Sequence, residues 1–160
     1  MRNPFHPHPN PLDGTLAGAL LSAATREHRG RVLFAESDET TRTVTSALLG
    51  QAGFEVDAVE DGETAWNLLA RRSFDAVVAA GDLPKLDGLA LVRRLRGSDI
   101  DLPVVILSGH LPLAVQLDYY ASKVSAILSK PVRMPRLITT LLDAMAARAT
   151  TRVLHYPRAA

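Results

Sequence analysis

Between residues 31 and 148, short apolar runs alternate with stretches whose apolar positions recur every three to four residues. The runs are Arg31-Val-Leu-Phe-Ala35, Phe54–Val59, Ala76–Ala80, Pro103-Val-Val-Ile-Leu107 and Ser125-Ala-Ile-Leu128. Each has strand length, and most lack polar alternation. Helical spacing fills the intervals: residues 39–51 with Val44, Ala47 and Leu48, then Ala65, Leu68 and Leu69. It continues over 88–96 with Leu89, Val92 and Leu95, over 113–121, and over 134–148 with Met134, Leu137, Ile138, Leu141, Leu142 and Met145. Gly53 stops the first helix and Asp61-Gly-Glu-Thr opens the second. Strands without alternation are covered on both faces, which predicts a parallel sheet. Five strand–helix repeats predict an α/β, flavodoxin-like doubly wound (βα)5 three-layer sandwich with strand order 2-1-3-4-5. Ligands of such sheets sit beyond the carboxyl ends of the strands, so the residues after strands 1, 3, 4 and 5 are the ones to weigh.

The flanks read differently. Four prolines among the first eleven residues oppose both helix and ladder, so 1–11 is expected to be disordered. Residues 12–28 place Leu12, Leu16, Ala19, Leu20 and Ala23/Ala24 at near-helical spacing, a short helix that would dock on the domain or on a partner. The domain proper is expected over 30–148, with 149–160 as a tail. A formal charge of +1 argues against a general nucleic-acid binder. The absence of cysteine excludes disulfides and thiolate chemistry and suits a reducing, cytoplasmic setting. No apolar run approaches the roughly 18 residues of a membrane span, and the N-terminus lacks a signal-peptide core. His6 and His8, in the proline-rich flank, make a poor metal pair without a third ligand.

Strand 1 is followed by Glu36-Ser37-Asp38, strand 3 ends in Ala80-Gly81-Asp82-Leu-Pro84-Lys-Leu-Asp87-Gly88, strand 4 in Ser108-Gly109, and strand 5 in Lys130-Pro131. Ser108 and Lys130 stand 22 positions apart. With Leu-Pro-x-x-Asp-Gly and the strand order, these residues resemble the receiver domains of response regulators over 31–147. The resemblance implies an acidic pair holding Mg²⁺ after strand 1, here Glu36 with Ser37 in the second place and Asp38 as an extra acid or helix cap. It implies a phosphate-accepting aspartate four residues before Pro84, where Ala80 stands. Asp82 falls where a backbone carbonyl meets the metal, and its side chain is expected to cap the local turn. Ser108 would contact a phosphoryl group, and Lys130 would bridge it to the acids. An aromatic switch residue is implied where Ile127 stands.

An alanine methyl cannot form an acyl phosphate, and with one carboxylate fewer at Ser37 the Mg²⁺ cage is poor. The expectation is a stand-alone atypical receiver: a phosphorylation-independent protein-interaction module in a two-component or phosphorelay pathway, not an enzyme, with no cofactor and weak Mg²⁺ at most. Its partner would be another signalling protein or a second copy, met through the face of the fourth helix, fifth strand and fifth helix, with Tyr119 and Tyr120 as interface candidates; nucleic acid and membrane are not expected. Lys130 needs a counter-charge, for which Glu36 is first choice and Asp38 second. One alternative is phosphate acceptance at Asp82 or Asp38. Another is a small-molecule-binding flavodoxin-like domain, although no Gly-rich loop follows strand 1. Arg93, Arg94 and Arg96 read as a solvated helix face rather than a basic patch, and Trp66 as a packing residue.

Overall fold

The computed structural model describes residues 28–154. Five strands, β1 (Arg31–Ala35), β2 (Glu55–Val59), β3 (Ala76–Ala80), β4 (Val104–Ser108) and β5 (Ala126–Ser129), alternate with α1 (Glu39–Gln51), α2 (Gly62–Leu69), α3 (Gly88–Gly97), α4 (Leu113–Ala121) and α5 (Met134–Leu154). The sheet is wholly parallel in the order β2-β1-β3-β4-β5, the doubly wound topology that the sequence predicts. β3 is buried along its whole length. Its Ala-Val-Val-Ala-Ala sequence suits a central strand, where β-branched and small side chains pack under helices on both faces.

Two apolar layers flank the sheet. Leu33, Val77, Ala79 and Ile106 meet Ala65, Leu69, Leu91, Leu95 and Tyr119 from α2, α3 and α4. On the other face Phe34, Val78, Val105 and Leu107 meet Leu49 of α1 and Leu137 and Leu141 of α5. Among the described residues, no helix is long and apolar enough to cross a membrane.

Three helices start at the carboxyl edge of the sheet with an aspartate cap. Asp38 accepts from the Thr41 amide at 2.7 Å, Asp61 from Thr64 at 2.8 Å and Asp87 from Ala90 at 2.8 Å, which satisfies amides that have no partner within the helix. At the opposite edge Arg96 donates to the carbonyls of Ile100 (2.8 Å), Leu102 (2.9 Å) and Lys123 (2.9 Å).

The arginines of α3 therefore form neither a patch nor a uniformly solvated face. Arg96 is a clamp on two loops, Arg94 pairs with Glu63 and lies 4.6 Å from the centre of the Trp66 ring, and Arg93 reaches Asp118. Trp66 packs, partly buried, against the core as expected. α5 runs to Leu154, beyond the expected boundary at 148; its Ala- and Thr-rich end carries no helix stop. Residues 1–27, with His6, His8 and the expected N-terminal helix, lie outside the described residues.

Candidate functional site

β1 delivers Glu36 to the carboxyl edge of the sheet, where its side chain is 3% exposed. One carboxylate oxygen accepts from Lys130 Nζ at 2.6 Å, and the other accepts from the Asp38 amide at 3.0 Å. Lys130, at the end of β5, is anchored by its own amide on the Ser108 carbonyl at 2.8 Å. The structure thus joins Lys130 to Glu36, the first of the two acids that the sequence offers it. Asp38 caps α1; its carboxyl is held below the usual range, chiefly by the Thr41 hydrogen bonds, with Lys130 and Arg42 adding to the effect. Ser37 is exposed. Arg42 closes the loop from below, donating to the Glu36 and Ser37 carbonyls at 2.7 and 3.0 Å.

Ala80 ends β3 with 1% exposure. Gly81 follows, close to the Ser108 hydroxyl: a Cβ built on Gly81 would lie 3.3 Å from Ser108 Oγ. Asp82 is exposed and, among the described residues, makes no hydrogen bond or ion pair. It does not cap the turn, as the sequence suggests it should; Asp87 does that work for α3. Ile127 is partly buried and borders a cavity of about 200 Å³ lined also by Ser108, His110, Gln116 and Tyr120.

The two tyrosines separate. Tyr120 is 55% exposed. Tyr119 is 1% exposed, which removes it as an interface candidate. Its hydroxyl reaches under the site: a Cβ on Gly88 would fall 2.9 Å from Tyr119 Oη and 2.6 Å from the Ala80 carbonyl oxygen. Burial, and then the charges of Asp87 and Asp82, push the Tyr119 hydroxyl up to about 12. A raised acid group stabilises the fold fully below its ordinary value near 10.0, and that contribution is lost as pH rises from there toward 12. Absorbance titration should therefore show one phenol ionising well above the ordinary value of 10.0, and Tyr119→Phe should remove that late step together with its share of alkaline destabilisation.

A second ion pair at this edge was not foreseen. Asp61, 3% exposed, receives Lys85 Nζ at 2.7 Å as well as the Thr64 hydroxyl at 3.0 Å. Lys85 adopts φ 64°, which turns its ammonium back from the β3–α3 loop onto α2. The Asp61 carboxyl is lowered, first by Lys85 and then by the Thr64 amide. The sequence signal was Asp61 as a helix start, but nothing in the chain order pairs it with position 85.

Fold and site together define a receiver. Residues 32–142 match the response regulator receiver domain, and the chain belongs to that family. It is 29% identical over 111 residues to the response regulator receiver protein CpdR of Brucella abortus, covering 69% of this chain and 92% of that protein. It is 31% identical over 121 residues to the transcriptional regulatory protein FixJ of Bradyrhizobium diazoefficiens, covering 73% of this chain and 57% of that protein. Against the receiver domain of Francisella response regulator 1452 the TM-score is 0.70 at 25% identity, over 74% of this chain and 98% of that one. The chain thus spans nearly all of CpdR but little more than half of FixJ.

Proposed function

We propose that this receiver works without phosphoryl transfer, as a cytoplasmic protein-interaction module in a two-component or phosphorelay pathway. The observation that carries the reading is Ala80. It ends β3 opposite Leu107, one residue short of Ser108 on the neighbouring strand, and offers a methyl where covalent catalysis needs a nucleophilic heteroatom. The charges around it are already balanced, since Lys130 is held by Glu36 at 2.6 Å. Mg²⁺ does not fit these donors. It asks for near-octahedral oxygens, whereas both Glu36 oxygens and the Asp38 carboxylate are engaged. Among the described residues, no three acid, His or Cys side chains converge. The domain then needs no cofactor and catalyses no reaction.

Its output in this reading is a surface. α4 exposes Leu113 (70%), Leu117 (59%) and Tyr120 (55%), spaced on one helical face. The partner is another signalling protein or a second copy. Binding there selects among conformations of the adjoining loop, which has room to move over the cavity beside Ser108.

Incubation with acetyl phosphate and Mg²⁺, and separately with a phosphorylated histidine kinase, should leave the intact mass unchanged. A gain of about one phosphoryl group, ~80 Da, lost in Asp82→Asn or Asp38→Asn, would establish acceptance at a non-standard acid instead.

A further inference from the structure

Among the described helices, α1 buries little of its surface. Of its 13 residues only Leu49 is buried. Its outward stripe, Thr40, Val44, Ala47, Leu48 and Gln51, carries no charge, with Val44 52% and Leu48 37% exposed. The charged residues of α1, Glu39 and Arg42, belong to its first turn, and Arg42 is folded onto the preceding loop. The outer side of α3, by contrast, bears Arg93 and Arg94. A helix that buries one residue and shows water an uncharged stripe centred on Val44 and Leu48 is a helix with a face left to cover.

The chain itself arrives at the foot of that face. The Arg29 amide donates to the Gly53 carbonyl just past the end of α1, at 3.0 Å. Gly30 has φ 120° and lies against Met145 of α5, so close that a Cβ there would fall 2.7 Å from the methionine methyl. The described chain thus begins at the lower ends of α1 and α5.

We propose that residues 12–27 dock as a helix along the Val44–Leu48 face of α1. The apolar spacing of Leu16, Leu20 and Ala24 repeats that of Thr40, Val44 and Leu48. Docked in this way, the two helices would run toward the same end of the sheet, so residues at equal distances from that end would lie level. The Arg29 amide bonds to the Gly53 carbonyl, and the same offset would set Leu20 beside Val44 and Ala24 beside Leu48. Sixteen helical residues span about 24 Å, enough to cover the roughly 20 Å of α1. The tether is short, so the local concentration of the segment is high without help from a second molecule. This surface lies across the sheet from the α4 stripe, and its occupant does not depend on whether the domain accepts phosphate.

The chain has no cysteine, which makes a cross-linking test clean. In the full chain, Leu20→Cys with Val44→Cys should oxidise to an intramolecular disulfide whose yield does not change on dilution. Leu20→Cys with Asn67→Cys, on α2 across the sheet, should stay unlinked. A nitroxide on Leu20→Cys should broaden the amides of Val44–Leu48, and adding Leu48→Glu should abolish that broadening while the strand amides keep their shifts. Disulfides found only between two copies, equal linking to both faces, or no broadening on α1 would overturn the proposal. A phosphoryl adduct would overturn the functional reading and leave this contact standing.

Discussion

Lys130→Met is expected to lower the stability of the domain by about 3 kcal/mol. Breaking a buried pair costs about 3–5 kcal/mol because the surviving charge has no partner. Lys130 itself is 30% exposed, so the low end applies, but Glu36 is 3% exposed and keeps only the Asp38 amide. Glu36→Gln added to Lys130→Met should return part of the loss, since an amide tolerates burial without a counter-ion. Urea unfolding reads both changes as shifts in midpoint at constant slope. If Lys130→Met is neutral, or Glu36→Gln deepens the loss, the pair is not what holds the ends of β1 and β5 together.

Gly62→Ala should be about as damaging, by a different route. Gly62 opens α2, and its amide donates to the Pro84 carbonyl at 3.2 Å. A methyl there falls onto the Leu86 carbonyl oxygen, with the Leu86 carbonyl carbon at 2.7 Å. The obstruction is backbone, and the loop cannot swing aside while Lys85 is tied to Asp61 at 2.7 Å. Overpacking against such a neighbour costs about 3 kcal/mol. Gly50→Ala is the internal contrast: nothing lies within 4 Å of its added methyl, and a helix-interior alanine gains about 0.5–1 kcal/mol over glycine. Thermal melts of the two variants should move in opposite directions.

Where the sequence was legible, a local rule sufficed. The apolar runs marked all five strands, of which β1, β3 and β4 are buried almost throughout while the edge strands β2 and β5 are only partly so, and Asp38 and Asp61 marked helix starts that the structure bears out. Other features depend on distant parts of the chain. The phase of α4 decides which of two adjacent tyrosines turns inward, and the short helix has too few apolar positions to fix that phase. Arg96 looks like its arginine neighbours until two loops bring their carbonyls to it. Asp82 looked like a turn cap because its position in the loop was known and the direction of its side chain was not. The Asp61–Lys85 pair rests on a left-handed lysine, which no spacing rule anticipates.

Charged side chains fasten both edges of the sheet, but not in the same way. At the carboxyl edge, carboxylates do the tying: Asp38 and Asp61 cap helices and are both held below their ordinary range. Such contributions are complete above the ordinary value of 3.8 and vanish as pH falls through the lowered one. At the amino edge a guanidinium on carbonyl oxygens, a pair in which neither partner titrates in acid, stands beside carboxylate ties: Asp75 on the Arg31 amide, and Glu55 and Asp57 on the Arg31 side chain. Souring the solution therefore loosens the helix caps beside Ala80 while the Arg96 clamp, made without a carboxylate, keeps its loops together.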